Sequence, residues 1–238
     1  MGVQEVKAQF PDIDAGGFMQ LAGMSGRFSL AAKRGYSGVG LYTRHAPTQV
    51  VHECGLEEFD AEGRYVEMRF DSGGRPFSVV SVYFPSGSSG DERQAAKMRF
   101  LAHFGSVIER LREGGREFII CGDVNIAHSE QDLKNWRANQ TRSGFLPEER
   151  QWLTDTLARH ELVDVYRRLH PDTTGEAYTW WSNRGRAWDN NTGWRIDYHL
   201  ATPAIAETAR RCEIYKAQRF SDHAPLTVDY DFTLSSWV

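Results

Sequence analysis

One long amphipathic helix set among β-rich segments limits most strongly what this chain can fold into. Apolar side chains recur at three- and four-residue steps across residues 92–113, which predicts a helix with one buried face. Gly114 and Gly115 follow directly, as is typical of a helix end. The stretches 65–70, 77–84 and 117–121 are rich in β-branched and aromatic residues and predict strands. Helices and strands in this order predict an α/β fold, with sheet layers flanked by helices.

Further β-rich segments lie towards both ends of the chain and predict additional strands, namely residues 38–42, 48–52, 194–201 and 224–232. Residues 71–75 contain two glycines and predict the turn of a hairpin. A second helix is predicted to start at Pro147, because proline and acidic residues favour the first helical turn. No repeat or low-complexity linker divides the chain, so we expect a single domain over residues 1–238.

Composition excludes several classes of protein. The three cysteines are widely spaced and form no Cys-x-x-Cys pair, which argues against a zinc ribbon or a disulfide framework. No apolar run approaches the roughly 18 residues that a membrane span needs, and the N-terminus lacks a signal-peptide pattern. We therefore expect a cytoplasmic protein, monomeric by default and associated with the nucleoid in use. The net charge of −4 does not exclude a nucleic-acid partner, because binding depends on where positive charges cluster.

Polar side chains next to the predicted strands are the candidates for chemistry, because strand ends hold side chains in place on a rigid scaffold. They are Glu5, Tyr83, Asp123, Asn125, Asp197, Asp222 and His223. Each alone has a structural explanation: Asp123 with Asn125 is compatible with an Asx-turn, and Asp197 with an edge salt bridge to Arg195. The combination of acids, an amide, a tyrosine and a histidine carries more weight than any member.

These residue types suit one kind of reaction. Hard cations such as Mg²⁺ prefer carboxylate oxygens, whereas histidine- and thiolate-rich sets suit zinc. A carboxylate set with a histidine and a tyrosine therefore favours metal-assisted attack on a phosphate ester. Asp197 and His223 are predicted to form an aspartate–imidazole pair that fixes the tautomer and favours the protonated ring beside a phosphate. We expect Glu5, Asp123 and Asp222 to converge on one divalent ion.

Seven segments of the chain resemble the exonuclease III family of apurinic/apyrimidinic endonucleases, in the family's order: QEVKA, GVGLYTR, YFPSG, GDVNIAH, FLPEERQW, GWRIDY and SDHAP. The resemblance covers essentially the whole chain, and GDVNIAH together with SDHAP is its specific part. It implies the four-layer α/β sandwich of the DNase I-like fold and dependence on Mg²⁺ or Mn²⁺. It also implies cleavage of DNA 5′ to abasic sites, 3′-end cleaning and 3′→5′ exonuclease action.

The resemblance also implies a role for each matching residue. Glu5 resembles the metal-binding glutamate, and Asp222 matches an acid near the metal. Asp123 resembles the aspartate that orients or deprotonates the attacking water, with Asn125 beside it. Tyr83 resembles a tyrosine that contacts the scissile phosphate, and Asp197 the partner of a phosphate-contacting histidine. The catalytic set is then Tyr83, Asp123, Asn125, Asp197 and His223, and the metal set is Glu5, Asp123, Asn125, Asp222 and His223.

Tryptophans and cations complete the predicted DNA site. Trp180 and Trp194 fall where the family places aromatic walls around the extrahelical abasic sugar, and Trp181 is a third candidate wall. An abasic nucleotide lacks stacking and pairing, so its extrusion costs less than that of a normal base. For Trp181, core packing is the competing interpretation. Backbone contacts are predicted for five cations whose alternative is solvated surface charge, namely Lys134, Arg137, Arg142, Arg184 and Arg186.

The sequence also departs from the family pattern. The family begins with a strand carrying Asn-x-Asn-Gly and a helix, both absent before Glu5. We therefore expect an N-terminally truncated domain. The favoured explanation is a longer natural protein whose start was assigned too late, and the alternative is a real truncation with impaired folding. The segments SGSSGDE, LKNWR and GFLPEER also resemble catabolite repression control proteins, so a catalytically impaired, RNA-linked regulator is the alternative. A phosphoesterase of the same fold acting on inositol or sphingolipid phosphates is a third, weaker option.

Overall fold

The computed structural model describes residues 1–71 and 75–234. The described chain forms two compact units, each built from segments that alternate along the sequence. The first unit comprises residues 1–84, 102–123 and the C-terminal segment from Phe232, and the second comprises residues 85–101 and 124–231. No helix among the described residues combines the length and the apolar character that crossing a bilayer requires.

The first unit contains two sets of paired strands. One antiparallel sheet has the order β1-β4-β3-β2, formed by β1 Gly2–Gln4, β2 Gln20–Leu21, β3 Met24–Ser29 and β4 Val39–Thr43. The second set has the order β5-β6-β7-β8, formed by β5 Gln49–Val51, β6 Tyr65–Phe70, β7 Phe77–Tyr83 and β8 Glu117–Asp123. β7 and β8 run parallel and the other neighbours antiparallel. The short helices α1 Phe10–Ala15 and α2 Glu57–Asp60 lie in this unit.

The long helix α3, Asp91–Leu111, contributes its first half to the second unit and its second half to the first. Phe100, Phe104 and Val107 are fully buried, which confirms the predicted apolar stripe. Gly114 adopts φ 69°, a left-handed conformation that suits glycine just beyond a helix end.

The second unit consists of short helices and paired strands. Its helices are α4 Trp136–Asn139, α5 Pro147–Arg159, α6 Val165–Leu169 and α7 Pro203–Glu207. Its strands pair antiparallel, β12 Asp197–Ala201 with β9 Val163–Asp164, β10 Trp180–Trp181 with β11 Gly193–Trp194, and β13 Ala209–Ile214 with β14 Leu226–Tyr230.

Two predicted strands differ from those observed. The predicted strand over residues 194–201 is split into β11 and β12, because the backbone N–H groups of Arg195 and Ile196 donate to Asp132 and to the Thr179 hydroxyl instead of to a strand partner. The last strand begins at Leu226 rather than Ala224, since Pro225 has no N–H to donate. The predicted hairpin strands pair as β6 and β7, while residues 72–74 of their turn lie outside the described part of the chain.

Candidate active site

The first unit brings Glu5, Tyr83 and Asp123 together. Tyr83 and Asp123 are the last residues of the parallel strands β7 and β8 and face each other in register, so both emerge at the same sheet edge. Glu5 directly follows β1, with φ 52°. One carboxylate oxygen of Glu5 and one of Asp123 lie within 4.8 Å of each other. These two side chains therefore offer hard oxygen ligands at a spacing that suits a shared divalent cation.

Gly122 allows Asp123 to reach this position. Its φ is 139°, and a Cβ atom there would lie 2.0 Å from the backbone oxygen of Val82 in the neighbouring strand. Only glycine lets β8 approach β7 so closely just before the catalytic candidate. The Gly-Asp segment is thus fixed by backbone geometry.

Tyr83 carries a hydroxyl that stays protonated. Burial raises its pKa well above the ordinary value, and the charges of Glu5 and Asp123 raise it further. A protonated hydroxyl beside two carboxylates is a hydrogen-bond donor, which suits contact with a phosphate oxygen.

Arg64 contacts both the ring and the backbone of Tyr83, and the sequence analysis did not identify it as a site residue. Its guanidinium lies 4.8 Å from the centre of the Tyr83 ring and donates to the Tyr83 backbone oxygen at 3.0 Å. The side chain is only 2% exposed and also pairs with Glu62. Nothing in the local sequence distinguishes Arg64 from an ordinary residue before a strand, because Tyr83, the candidate that it contacts, lies 19 residues further along the chain.

The second unit forms the predicted aspartate–histidine pair. Asp197 Oδ2 lies 2.9 Å from His223 Nδ1, and both side chains are half-buried. The backbone N–H of Asp197 donates to the hydroxyl of Thr179, which fixes the start of β12. A carboxylate bound to Nδ1 orients the imidazole ring and stabilises its protonated form.

The alternative salt bridge between Asp197 and Arg195 does not form. Arg195 is 1% exposed and instead donates to Asp132 at 2.7 Å and to Asp164 at 2.7 Å. Arg195 precedes β12, and its guanidinium is bound by two carboxylates of other segments, whereas Asp197 is the first residue of β12. The buried arginine network is structural, whereas Asp197 remains available to His223.

Asp222, Trp180 and Trp194 lie near this pair in the second unit. The indole N–H of Trp180 donates to Asp222 Oδ2 at 3.3 Å. The rings of Trp180 and Trp194 meet edge to face with centroids 6.4 Å apart, and both are half-buried. Their placement fits an aromatic wall. The share of Asp222 in a metal site stays a prediction.

Trp181 occupies a different environment from its neighbour. It is 1% exposed and packs with Tyr178 and Ala224, while its indole N–H donates to Asn191. Its burial favours the core interpretation over a wall shared with Trp180 and Trp194, and its part in an abasic-sugar pocket stays a prediction.

Asn125 is held by a buried ion pair that sequence analysis did not single out. Its backbone has φ 56°, and its carbonyl accepts a hydrogen bond from Lys97 Nζ at 2.8 Å. Lys97 also pairs with Glu149 at 2.7 Å, and both side chains are completely buried. The available signal was the position of Lys97 on the apolar stripe of α3, three residues before Phe100 and four before Leu101.

The five cations predicted to contact the DNA backbone are exposed residues of the second unit, Lys134, Arg137, Arg142, Arg184 and Arg186. Lys134 donates to the backbone of Asn190, and Arg186 pairs with Asp189. Arg137 lies in the one-turn helix α4, with its guanidinium 4.4 Å from the ring centre of Trp136. Exposure suits both backbone contact and solvated charge, so their role stays a prediction.

An α/β scaffold with clustered carboxylates and an aspartate–histidine pair has the side chains of a phosphoester-cleaving protein. The chain belongs to the Endonuclease/Exonuclease/phosphatase family, whose model matches residues 1–223. It is 36% identical over 224 residues to an exodeoxyribonuclease of Bacillus subtilis (strain 168), covering 94% of this chain and 84% of that protein. It is 35% identical to the DNA repair nuclease APEX1 of Danio rerio, covering 82% of this chain and 61% of that protein.

Solved structures confirm the fold. The 3′ phosphatase NExo from Neisseria, bound to a product DNA hairpin, matches with a TM-score of 0.85 and 25% identity, covering 97% of this chain and 88% of that one. An AP endonuclease from Archaeoglobus fulgidus matches with a TM-score of 0.83 at the same identity and coverage. The predicted DNase I-like α/β class and the resemblance to AP endonucleases are therefore confirmed. These relatives are named as nucleases and phosphatases, so the regulator alternative has no support from them.

Proposed function

We propose that this chain is a divalent-metal-dependent DNA repair nuclease. Its reaction is hydrolysis of the phosphodiester bond 5′ to an abasic site, with 3′→5′ exonuclease and 3′-end-cleaning activity on blocked ends. The observation that carries the proposal is the pairing of the Glu5 and Asp123 carboxylates within 4.8 Å, beside a protonated Tyr83. The AP endonuclease and exodeoxyribonuclease relatives support the substrate class.

Glu5 and Asp123 are the proposed metal ligands, because their oxygens match the preference of Mg²⁺, with Mn²⁺ as a substitute. When bound, such an ion neutralises the charge that builds on phosphate oxygens. Asp123 also orients or deprotonates the attacking water, with Asn125 beside it, and Tyr83 donates to a phosphate oxygen. The parts of Asn125, Asp222 and His223 in metal binding stay predictions.

His223, held by Asp197, is the proposed phosphate contact of the second unit. A protonated imidazole binds a phosphate oxygen both by charge and as a donor. Trp180 and Trp194 are proposed to enclose the extruded abasic sugar, which is small and lacks a base to stack. The exposed cations bind backbone phosphates without reading sequence, as repair of damage in any context requires.

The test is incision of a fluorescent duplex carrying one abasic-site analogue. Incision is expected with Mg²⁺ and is expected to disappear in EDTA and in Asp123→Asn. Asp197→Asn is expected to lower turnover by about 10²-fold or more, because the imidazole loses the carboxylate that orients it. Asp231→Asn, an exposed aspartate paired with Arg210, is the matched control and is expected to keep full activity.

Metal-independent incision, or full activity in Asp123→Asn, would refute the proposal. Tight binding to RNA without any incision would instead support the regulator. Unfolding midpoints in urea, measured for each variant, separate a loss of chemistry from a loss of structure.

A further inference from the structure

The second unit contains a cavity that neither Asp197 nor His223 lines. It has a volume of about 290 Å³ and is lined by Gly175, Glu176, Trp181, Trp188, Asn191 and Lys216. This volume is close to the lower end of the roughly 300–1,000 Å³ typical of small-ligand pockets. We call it the Trp188 cavity.

The strand β10 separates the Trp188 cavity from Asp222. Consecutive side chains of a strand point to opposite faces. The indole N–H of Trp180 donates to the Asp222 carboxylate, whereas that of Trp181 donates to the Asn191 side chain at 3.0 Å. The cavity thus lies on the face of β10 that the proposed abasic-sugar wall does not use.

Aromatic rings and cations meet in this cavity. Trp181 and Trp188 pack edge to face with centroids 4.5 Å apart. Lys216 Nζ lies 5.1 Å from the centre of the Trp181 ring, and the Arg219 guanidinium lies 5.4 Å from that of Trp188. Trp188 is half-buried, so part of its surface is accessible. The Trp188 ring, with the cations Arg219 and Lys216 nearby, is therefore suited to stacking against a planar base that carries a negatively charged phosphate.

The polar groups of the cavity also suit a nucleotide. Glu176 is exposed at its edge, and a carboxylate accepts from the amino group of a base. Both ends of the Asn191 amide are already bound, the oxygen by the Trp181 indole and the nitrogen by the backbone oxygen of Gly175, so Asn191 shapes the cavity wall. Lys216 is half-buried and donates to the backbone oxygen of Glu176 at 2.8 Å. Burial lowers the pKa of Lys216, so an incoming phosphate would offset the cost of keeping its charge there.

An exposed aromatic segment lies next to the cavity residue Lys216 along the chain. Tyr215 and Phe220 are 47% and 68% exposed, and their rings lie 6.3 Å apart. Both belong to the short stretch that also carries Lys216 and Arg219. Arg219 reaches across to the Asn183 side chain and so ties this stretch to the segment that carries Trp188. Aromatic residues interspersed with cations are typical of surfaces that bind unpaired nucleic acid.

We propose that the Trp188 cavity binds one unpaired nucleotide, with the base against Trp188 and the phosphate beside Lys216 and Arg219. This proposal depends on the proposed nuclease function in one respect only, namely that the protein encounters nucleic acid. Two sources supply this chemistry: an unpaired nucleotide still attached to a DNA strand, or the nucleoside monophosphate that exonuclease action releases.

The first arm measures fluorescence anisotropy in EDTA, where no cleavage occurs, with a blunt duplex and with the same duplex carrying a short unpaired extension. The unmodified chain is expected to bind the extended duplex about tenfold more tightly, since stacking of one base is worth about that factor. Trp188→Ala is expected to remove this preference, and Trp188→Phe to retain most of it. Phe10→Ala, which removes an exposed aromatic ring of the first unit, is the matched control.

The second arm titrates each protein with deoxyadenosine monophosphate alone. Binding that is lost in Lys216→Gln and in Trp188→Ala assigns the cavity to the released mononucleotide. A preference for the extended duplex without mononucleotide binding assigns it to the strand. If the unmodified chain shows neither, or if both variants keep both, the proposal is wrong.

The two proposals fail separately. Incision of abasic duplex by Trp188→Ala in Mg²⁺ shows that the nuclease site is intact whatever the cavity binds. A chain that does not incise abasic DNA would refute the nuclease proposal, while the titrations would still decide the cavity. If Trp188→Ala unfolds, both the anisotropy comparison and the mononucleotide titration are made with Lys216→Gln instead.

Discussion

The protonation state of Tyr83 is set by the groups around its hydroxyl. Its side chain is half-buried beside two carboxylates, and its pKa is raised well above the ordinary value by desolvation and by the charges of Glu5 and Asp123. The ionised form would place a third negative charge beside this pair. The site therefore keeps Tyr83 as a neutral donor over the whole range in which the protein is expected to work.

Replacing Tyr83 by phenylalanine is expected to flatten the loss of stability at high pH. The folded-state pKa exceeds the unfolded value of about 10, so the unfolded chain releases this proton first as pH rises. Tyr83 thus contributes stability that is complete below about pH 10 and is lost above it. Urea midpoints measured from about pH 8 to about pH 11 check this.

Tyr65 and Tyr198 also have raised pKa values caused by burial, so the Tyr83→Phe protein is expected to keep part of the alkaline loss. Tyr215→Phe, which alters an exposed ring, serves as the control. An unchanged alkaline slope in Tyr83→Phe would contradict the prediction.

Sequence periodicity predicted the helices and strands that have a strong apolar pattern. β6, β7, α3 and the start of α5 lie where they were predicted. β13 was missed because it is mostly polar, with Arg210, Arg211 and Glu213 exposed. A strand with little apolar alternation gives no period-2 signal, and its pairing with β14 is a long-range contact.

The candidate site was predicted in the same uneven way. Glu5, Asp123, Asp197 and His223 were found because the segments carrying them match family motifs at strand ends. Arg64 and the Lys97–Glu149 pair were not, because each matters through partners far along the chain. Sequence reasoning identifies side chains that carry chemistry more readily than those that hold them in place.

The buried pair of Lys97 and Glu149 connects the helices α3 and α5 and the segment that follows β8. Lys97 extends from α3 to the backbone of Asn125, and Glu149, in the first turn of α5, accepts from the backbone N–H groups of Gly144 and Leu146. The interaction fixes the segment after β8 in its left-handed conformation at Asn125. Its contribution is therefore to stability and to the placement of a catalytic candidate.

Lys97→Met is expected to destabilise the protein by about 3–5 kcal/mol, because it leaves the Glu149 charge buried without its partner. The double variant Lys97→Met/Glu149→Gln is expected to recover a large part of this loss, since the uncompensated charge is gone. Incision is expected to stay low in the double variant, because Asn125 still lacks its lysine donor. Urea midpoints and turnover are the two measurements. A double variant that is no more stable than the single one would contradict the account.

For the molecule as a whole, charge distribution matters more than net charge. The sum of −4 opposes binding to a polyanion. Exposed cations of the second unit nevertheless include Arg142, Arg184 and Arg186, in turns and bends where long side chains reach solvent. Binding through such residues would depend on salt and be indifferent to sequence.

Salt titration tests whether these cations bind phosphates. Log affinity for duplex DNA, measured by anisotropy in EDTA, is expected to fall linearly with log salt concentration. Arg142→Gln and Arg184→Gln are each expected to reduce the slope by about 0.9, the value for one phosphate contact on duplex DNA. Arg159→Gln, an exposed arginine in the last turn of α5, is expected to leave the slope unchanged. Equal slopes in all three variants and the unmodified chain would show that Arg142 and Arg184 are solvated surface charges, and the DNA-contacting surface would have to be sought elsewhere.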